Sequence, residues 1–327
     1  METNSANGKA LKEMFASGTA WLEKSVPDIN AINVFPVPDG DTGTNMLLTM
    51  RSAMEEADRN LDSDASSVAK SMAYGALMGA RGNSGVILSQ FWRGLAKGLE
   101  GKNSFDGKEF AGALTEASQT AYEGIVHPVE GTMLTVLKDA AKAAETAAKV
   151  DSASLISVLV TAVKAAENSV ARTPNLLPVL KEAGVVDAGG QGIYVLLEGA
   201  LYYLKGEKDK IQYRRPKLVA AESPLTPKTA QMPTELEVPY GYCTNFVLEG
   251  QNFDLKKIRK NLEKKGQSLI VTGDNTTVRV HIHSFKPGEI LDYATRLCWP
   301  SLPQIPRYVI LRREFIRMQR ERMPLVD

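Results

Sequence analysis

Along the first two hundred residues, apolar positions recur at spacings of three and four. Leu11, Met14, Phe15, Trp21 and Leu22 form one such stripe and predict a helix from Lys9. The same period predicts helices over 44–57, 64–78, 84–99, 106–126, 132–150, 152–171, 175–183 and 188–204. That makes eight or nine helices with short connections and no convincing strand among them. Residues 1–8 are small and polar and are expected to form a disordered tip. Alanine-rich runs such as 138–149 predict close helix packing, since small side chains let backbones approach. The pairs Phe91-Trp92 and Tyr202-Tyr203 read as packing residues.

After Gly206 the pattern breaks. Charges come first, then prolines at 216, 224, 227, 233 and 239 with few large apolar residues, which predicts an exposed linker over 207–239. Beyond it the period becomes two. Residues 240–248, 268–273 and 277–284 read as strands, and 254–265 and 287–296 as helices, so 240–327 is expected to be a small α/β sandwich. Residues 297–313, with Cys298, Trp299 and three prolines, fit the pattern less well and read as a divergent loop or a local irregularity, whereas 313–323 reads as a basic amphipathic helix.

Composition narrows the classes. At 327 residues the chain exceeds one ordinary core. Its 39 basic and 38 acidic residues leave a net charge of +1, without the basic excess of a nucleic-acid binder. Two distant cysteines suit a reducing compartment rather than a disulfide framework. No signal peptide opens the sequence and no apolar run reaches about 18 residues, so a cytoplasmic protein without a transmembrane segment is expected.

Two polar stretches stand out against this background. In Asn33-Val-Phe-Pro-Val-Pro-Asp39-Gly-Asp41-Thr-Gly-Thr-Asn45, two carboxylates one residue apart lie between prolines and glycines. In an extended or sharply turned backbone both can face one side, and Asn33 adds a neutral oxygen. Magnesium is usually held by one or two carboxylates with phosphate and water completing its shell. A plain Pro-Asp-Gly turn with solvated aspartates is the competing reading. The second stretch, Gly79-Ala-Arg-Gly82-Asn83-Ser84-Gly85, leads into an apolar helix and could offer free backbone N–H groups to an anion. It lacks the Gly-Lys-Ser/Thr of a Walker loop. A cation site and an anion nest in one domain suggest nucleotide phosphates.

These two stretches, followed by Pro128-Val-Glu-Gly-Thr132-Met133-Leu and Asp187-Ala-Gly189-Gly-Gln-Gly, resemble in content and order the ATP-binding subunit of dihydroxyacetone kinases. The chain is more similar still to the kinase subunit of bacterial fatty acid kinase. The resemblance runs over about residues 5–296. It implies an antiparallel barrel or bundle of about eight helices over 1–206. It also implies magnesium on Asp39 and Asp41, with Asn33 standing nearest a third aspartate of dihydroxyacetone kinases. Thr42, Gly43, Thr44 and Asn45 match positions near phosphate or metal, and Gly82, Asn83, Ser84 and Gly85 the loop over the phosphates. Thr132 and Met133 match the adenine pocket edge, Asp187 and Gly189 a loop closing on the nucleotide, and Arg172 an arginine near the transferred phosphoryl group. The resemblance further implies phosphoryl transfer from MgATP to a fatty acid carboxylate, presented by a DegV-type lipid-binding partner. The product would be an acyl phosphate for phospholipid synthesis. An ionised carboxylate needs no general base. The family's further partner-binding C-terminal domain is expected to be missing from these 327 residues, and a homodimer stays open.

In the second domain Cys243 and His281-Ile-His283 stand apart. Alternation puts both imidazoles on one face of a strand, and sulfur with imidazole suits zinc. Counted alone they read as an ordinary core cysteine and strand histidines rather than a metal site. The resemblance, which has Cys and His-x-His at matching places, favours a structural zinc site with an unidentified fourth ligand. Two other functions remain in view: a dihydroxyacetone kinase ATP subunit, which would have no such second domain, and a non-catalytic nucleotide-binding scaffold.

Overall fold

The computed structural model describes residues 5–150, 153–222, 242–298, 308–310 and 316–317. The chain divides into two units, one of residues 1–123 and 127–230, the other of 124–126 and 231–327. In the first, α1 (Gly8–Ala31) starts where the Asn7 side chain accepts from the Ala10 N–H, a standard helix cap. Its predicted stripe faces inward: Leu11, Met14, Phe15, Trp21 and Leu22 are all buried. There follow α2 (Thr42–Arg59), α3 (Ala65–Gly79), α4 (Gly82–Gly98), α5 (Gly107–Glu123), α6 (Met133–Ala147), α7 (Leu155–Leu176), the short α8 (Pro178–Ala183), α9 (Ala188–Leu204) and α10 (Lys210–Tyr213). Each long helix packs on its neighbour in sequence, and α9 closes the ring against α7 and α1.

Close approaches at small residues give the directions. Gly18 of α1 faces the Leu196 backbone, Gly199 faces Gly18, and Gly192 lies near Ile29, so α1 and α9 run antiparallel. Gly94 and Gly98 of α4 meet Ala117 and Ala113 of α5 in the same sense. One end of the ring collects the starts of α1, α3, α5 and α7, with Gly8 against Asp64 and Gly107 against Ser154. The other end collects the starts of α2, α4, α6 and α9. The expected helical barrel is therefore present. Its aromatic centre is Phe15, Phe91 and Trp92, packed edge to face with Phe15–Trp92 centroids 4.6 Å apart. Each such buried ring contributes on the order of 2–3 kcal/mol.

Three expectations change. Ala6–Asn7 (β1) pairs with Ser104–Phe105 (β2), so a small strand pair exists where none was expected and residues 6–7 are not a loose tip. Burial of Ala6 and Phe105 beneath it supplies the reason. Helix α7 continues through Pro174 to Leu176. Residues 207–222, expected as exposed linker, lie along the helical unit. Ile211 and Val219 are buried there, and the Gln191 side chain bonds both Lys217 O (2.9 Å) and Val219 N (3.0 Å). Lys24 donates to the carbonyls of Ile211, Gln212 and Arg214. Residues 223–239 of that linker fall outside the described residues.

The second unit is an antiparallel sheet in the order β4-β5-β3-β6, with β7 also on β3. The strands are β3 (Tyr242–Glu249), β4 (Gln267–Gly273), β5 (Thr277–Ser284), β6 (Tyr308–Ile310) and β7 (Ile316–Arg317), and the helices α11 (Leu255–Leu262) and α12 (Pro287–Cys298). Alternation sends Phe246, Leu248, Leu269, Val271, Val278, Val280 and Ile282 to one face, where Ile258, Leu262, Ile290 and Ala294 of the helices complete a core. The basic helix expected over 313–323 is contradicted at residues 316–317, which pair as strand with Thr244 and Cys243. Pairing there satisfies backbone groups of β3 that would otherwise form an open edge. The rest of 313–323 lies outside the described residues; of 297–313, where no regular element was expected, residues 297–298 end α12 and 308–310 form β6, while Trp299 and the three prolines lie outside the described residues. Among the described residues no helix is long and apolar enough to cross a membrane.

Candidate functional site

The Asp loop leaves the end of α1 and enters α2 directly. The Phe35–Pro36 peptide is cis, and Gly40 adopts φ +66°. Asn33, buried in the loop, donates from its amide to Val37 O (3.0 Å), while its Oδ1 accepts from Asp41 N (3.2 Å) and Thr42 N (3.0 Å). Both acceptor positions of that oxygen are thus taken by backbone. The expectation of Asn33 as a magnesium ligand is corrected: it braces the loop that carries the carboxylates. Asn30, which the sequence did not single out, does the same one turn earlier. Its Oδ1 accepts from Gly43 N (2.8 Å) and Thr44 N (3.2 Å), and its Nδ2 donates to Thr44 Oγ1 (2.9 Å).

Between these clamps stand the two carboxylates. Asp41 Oδ1 accepts from Asn45 Nδ2 at 2.8 Å, which fixes its rotamer. Asp39 is exposed as a residue, yet crowding by the loop partly desolvates its carboxyl. The charge of Asp41 and a hydrogen bond between the two side chains add to this and raise its pKa from 3.8 to about 7. The bare pair therefore holds one proton near neutrality, in a place where a divalent cation could replace it.

The glycine stretch meets this loop from above. Helix α4 begins at Gly82, two residues before the expected start, and Gly82 itself takes φ +56°, open to glycine without a steric cost. A Cβ at Gly82 would lie 2.4 Å from Asn45 Nδ2, and one at Gly85 2.5 Å from Thr49 Oγ1. The glycines thus let the start of α4 close over the start of α2, and Ser84 Oγ donates to Thr42 O (3.3 Å). The two helix ends differ in one respect. Neither helix is capped by the side chain of its own N-cap residue, Asp41 or Arg81, but the first N–H groups of α2 are taken by Asn30 and Asn33 from the preceding helix and loop. With the N–H groups of Thr42, Gly43 and Thr44 donated to these two amides, what the first turn of α2 has left for an anion is the Thr42 and Thr44 hydroxyls.

A second group gathers where α9 and α6 begin. Asp187 caps α9 through Gly190 N (2.7 Å), and its own N–H donates to Thr173 Oγ1 (3.0 Å). Burial pushes its pKa up to about 7, opposed by the backbone N–H groups of Gly190 and Met133. Met133 packs on Gly189, and the Thr132 hydroxyl is spent on Val129 O (2.7 Å). Gly192, one turn into α9, abuts Met46 in the second turn of α2, which puts this group at the same end of the barrel as the aspartates. Arg172 lies next to Thr173 near the end of α7. It is half-exposed and pairs with Asp139 of α6 at 2.8 Å.

On the sheet face opposite the core of the second unit, register sets Cys243 beside His283 and Asn245 beside His281. One ligand atom from each of Cys243, His281 and His283 lies within 4.8 Å of the others. His281 is buried with Nε2 making no hydrogen bond among the described residues, and desolvation holds its pKa well below the ordinary value. Asn245, also unforeseen, contacts His281 Nδ1 through Oδ1 (2.7 Å) and Cys243 Sγ through Nδ2 (3.3 Å). Alternation alone places it on the face of Cys243, two residues on, which was the available signal.

The DAK2 domain family model matches residues 36–202, from the Asp loop to the end of α9. The chain belongs to the DAK2-domain family. The match stops short of the second unit, where the model for the FakA-like middle domain, named for fatty acid kinase, matches residues 239–305. Protein YloV of Bacillus subtilis is 44% identical over 90% of this DAK2 chain and 54% of its own length. An uncharacterized protein of Staphylococcus epidermidis is 43% identical over 89% and 53% respectively, and one of Staphylococcus saprophyticus 41% over 88% and 52%. The chain spans about half the length of the curated relatives it matches. The two domain matches together mark a kinase-related chain of the FakA-like type.

Proposed function

We propose that this chain binds MgATP at the barrel end formed by the starts of α2, α4, α6 and α9, and serves as the kinase subunit of a fatty acid kinase. The observation that carries the reading is the Asp39–Asp41 pair, raised to about 7 on one member and tied through Asn45 to the start of α4 at Gly82. Two carboxylates are a hard-oxygen donor set that fits magnesium. Magnesium held there would supply neutralisation of phosphate charge during in-line transfer. The protein's own part is positional. Asn33 and Asn45 fix the carboxylates, and Gly82, Asn83, Ser84 and Gly85 turn the start of α4 toward phosphate oxygens. Met133 and Gly189, with Thr132 and Asp187 holding their helix starts, edge the base pocket.

The acceptor is a fatty acid carboxylate and the product an acyl phosphate, a reading supported by the middle-domain match and the resemblance in the motifs. A DegV-type protein presents the lipid. Arg172 stays a candidate for the transferred phosphoryl group only if its pairing with Asp139 opens. In the second unit, Cys243, His281 and His283 offer one sulfur and two nitrogens, which fits a structural zinc. That unit also disfavours a simple dihydroxyacetone kinase subunit. Incubating the chain with ATP, magnesium, fatty acid and a DegV-type partner, then trapping acyl phosphate with hydroxylamine, tests the reading. Hydroxamate that depends on both ATP and fatty acid supports it. ATP consumed with dihydroxyacetone but not with fatty acid would move the chain to the rival class.

A further inference from the structure

Asn30 is tied to the candidate nucleotide site by three hydrogen bonds, yet its side chain carries no charge and is not one of the carboxylate ligands. Its Oδ1 accepts from the N–H groups of Gly43 (2.8 Å) and Thr44 (3.2 Å). With Oδ1 committed as acceptor, the other end of the amide is a donor, and it points at Thr44 Oγ1 at 2.9 Å. Thr44 must therefore accept there, and its own proton is directed elsewhere. Thr44 is half-buried in the first turn of α2, one turn from the Asp41 carboxylate that precedes the helix.

We infer that Asn30 is a positioning residue that keeps the Thr44 hydroxyl as a hydrogen-bond donor toward a phosphate oxygen of bound nucleotide. The inference rests on the MgATP reading given above. Because the backbone N–H groups at this helix start are already used, side-chain hydroxyls are what α2 has left to offer an anion. A hydroxyl free to turn either way could present a lone pair to the phosphate instead. Donation from the Asn30 amide removes that choice. The amide thus does two things at once: it caps α2 and it sets the polarity of the Thr44 hydroxyl.

The substitution Asn30→Asp separates the two. A carboxylate still accepts from both N–H groups and caps the helix. It cannot donate, so the Thr44 proton turns back to it and is lost to the nucleotide. Calorimetric titration with MgATP should show about tenfold weaker binding for Asn30→Asp, the scale of one hydrogen bond to a charged group, with an unchanged melting temperature. Thr44→Val should weaken binding similarly, and Thr44→Ser should restore it. In a Thr44→Val background, adding Asn30→Asp should cost little more. A loss of full size in that background would mean that the new charge, not the hydroxyl, weakens binding, and would overturn the inference. So would wild-type affinity in Thr44→Val, a result that does not depend on how Asn30→Asp folds. Absence of MgATP binding by the wild type would instead remove the nucleotide reading itself, and this inference with it.

Discussion

The Asp loop and the Cys243 cluster are both polar groups suited to a cation, but they are built in opposite ways. The first hangs on a loop between helices, uses hard oxygens, and leaves Asp39 exposed. The second is set by strand register, uses sulfur and nitrogen, and buries both histidines. In the loop, partial desolvation together with the like charge of Asp41 holds a proton on Asp39 near pH 7. In the sheet, burial disfavours charging His281 and leaves its imidazole neutral, the form that binds metal. The difference fits two tasks. A half-open oxygen site suits a cation that arrives and leaves with nucleotide, and a buried soft site suits one that stays.

If that contrast is right, the two sites should fail independently. The largest effect is expected from Asp41→Ala. Losing one of two carboxylates should reduce magnesium-dependent ATP binding by at least about a hundredfold, or abolish it, given how few protein ligands magnesium takes. Circular dichroism should show the helices intact, and zinc content should not change. Cys243→Ser is the mirror test: metal analysis should fall from about one zinc per chain to well below it, since thiolate is the strongest of the three ligands. Thermal unfolding of the second unit should shift down while MgATP affinity holds. Coupled losses in either variant would break the comparison.

A smaller effect is expected at the junction of α2 and α4. Gly82→Val meets both a left-handed backbone and the Asn45 amide that holds Asp41. ATP binding should weaken by about tenfold to a hundredfold, consistent with a backbone penalty of roughly 1–3 kcal/mol. Wild-type affinity by calorimetry would reduce the glycine stretch to a packing element.

Much of this arrangement was legible in the sequence because it depends on local pattern. The stripe from Leu11 to Leu22 and the alternation from Val278 to Ile282 each report a buried face directly. The order of Asp39-Gly-Asp41, the glycine stretch, Thr132-Met133 and Asp187 reported the family. The hydrogen-bond partners of side chains were not legible. Asn33 looks like a ligand until its oxygen is seen to face two backbone N–H groups. Asn30 and Asn245 look ordinary because an amide's role depends on what tertiary structure brings to each of its ends. The segment 207–222 reads as linker from its composition, and only Gln191 and Lys24, far off in sequence, show where it docks.

The most direct test of the central claim is the magnesium and pH dependence of ATP binding by the unmodified chain. Asp39 sits at about 7, so a proton competes with the cation below that pH and not above it. Calorimetry at pH 8 should show binding that needs magnesium and vanishes in EDTA. At pH 6 the affinity should be about tenfold lower, the factor for displacing one proton a unit below its pKa. ATP binding that is equal with and without magnesium, or unchanged between pH 8 and pH 6, would contradict the assignment of Asp39 and Asp41 as the cation site.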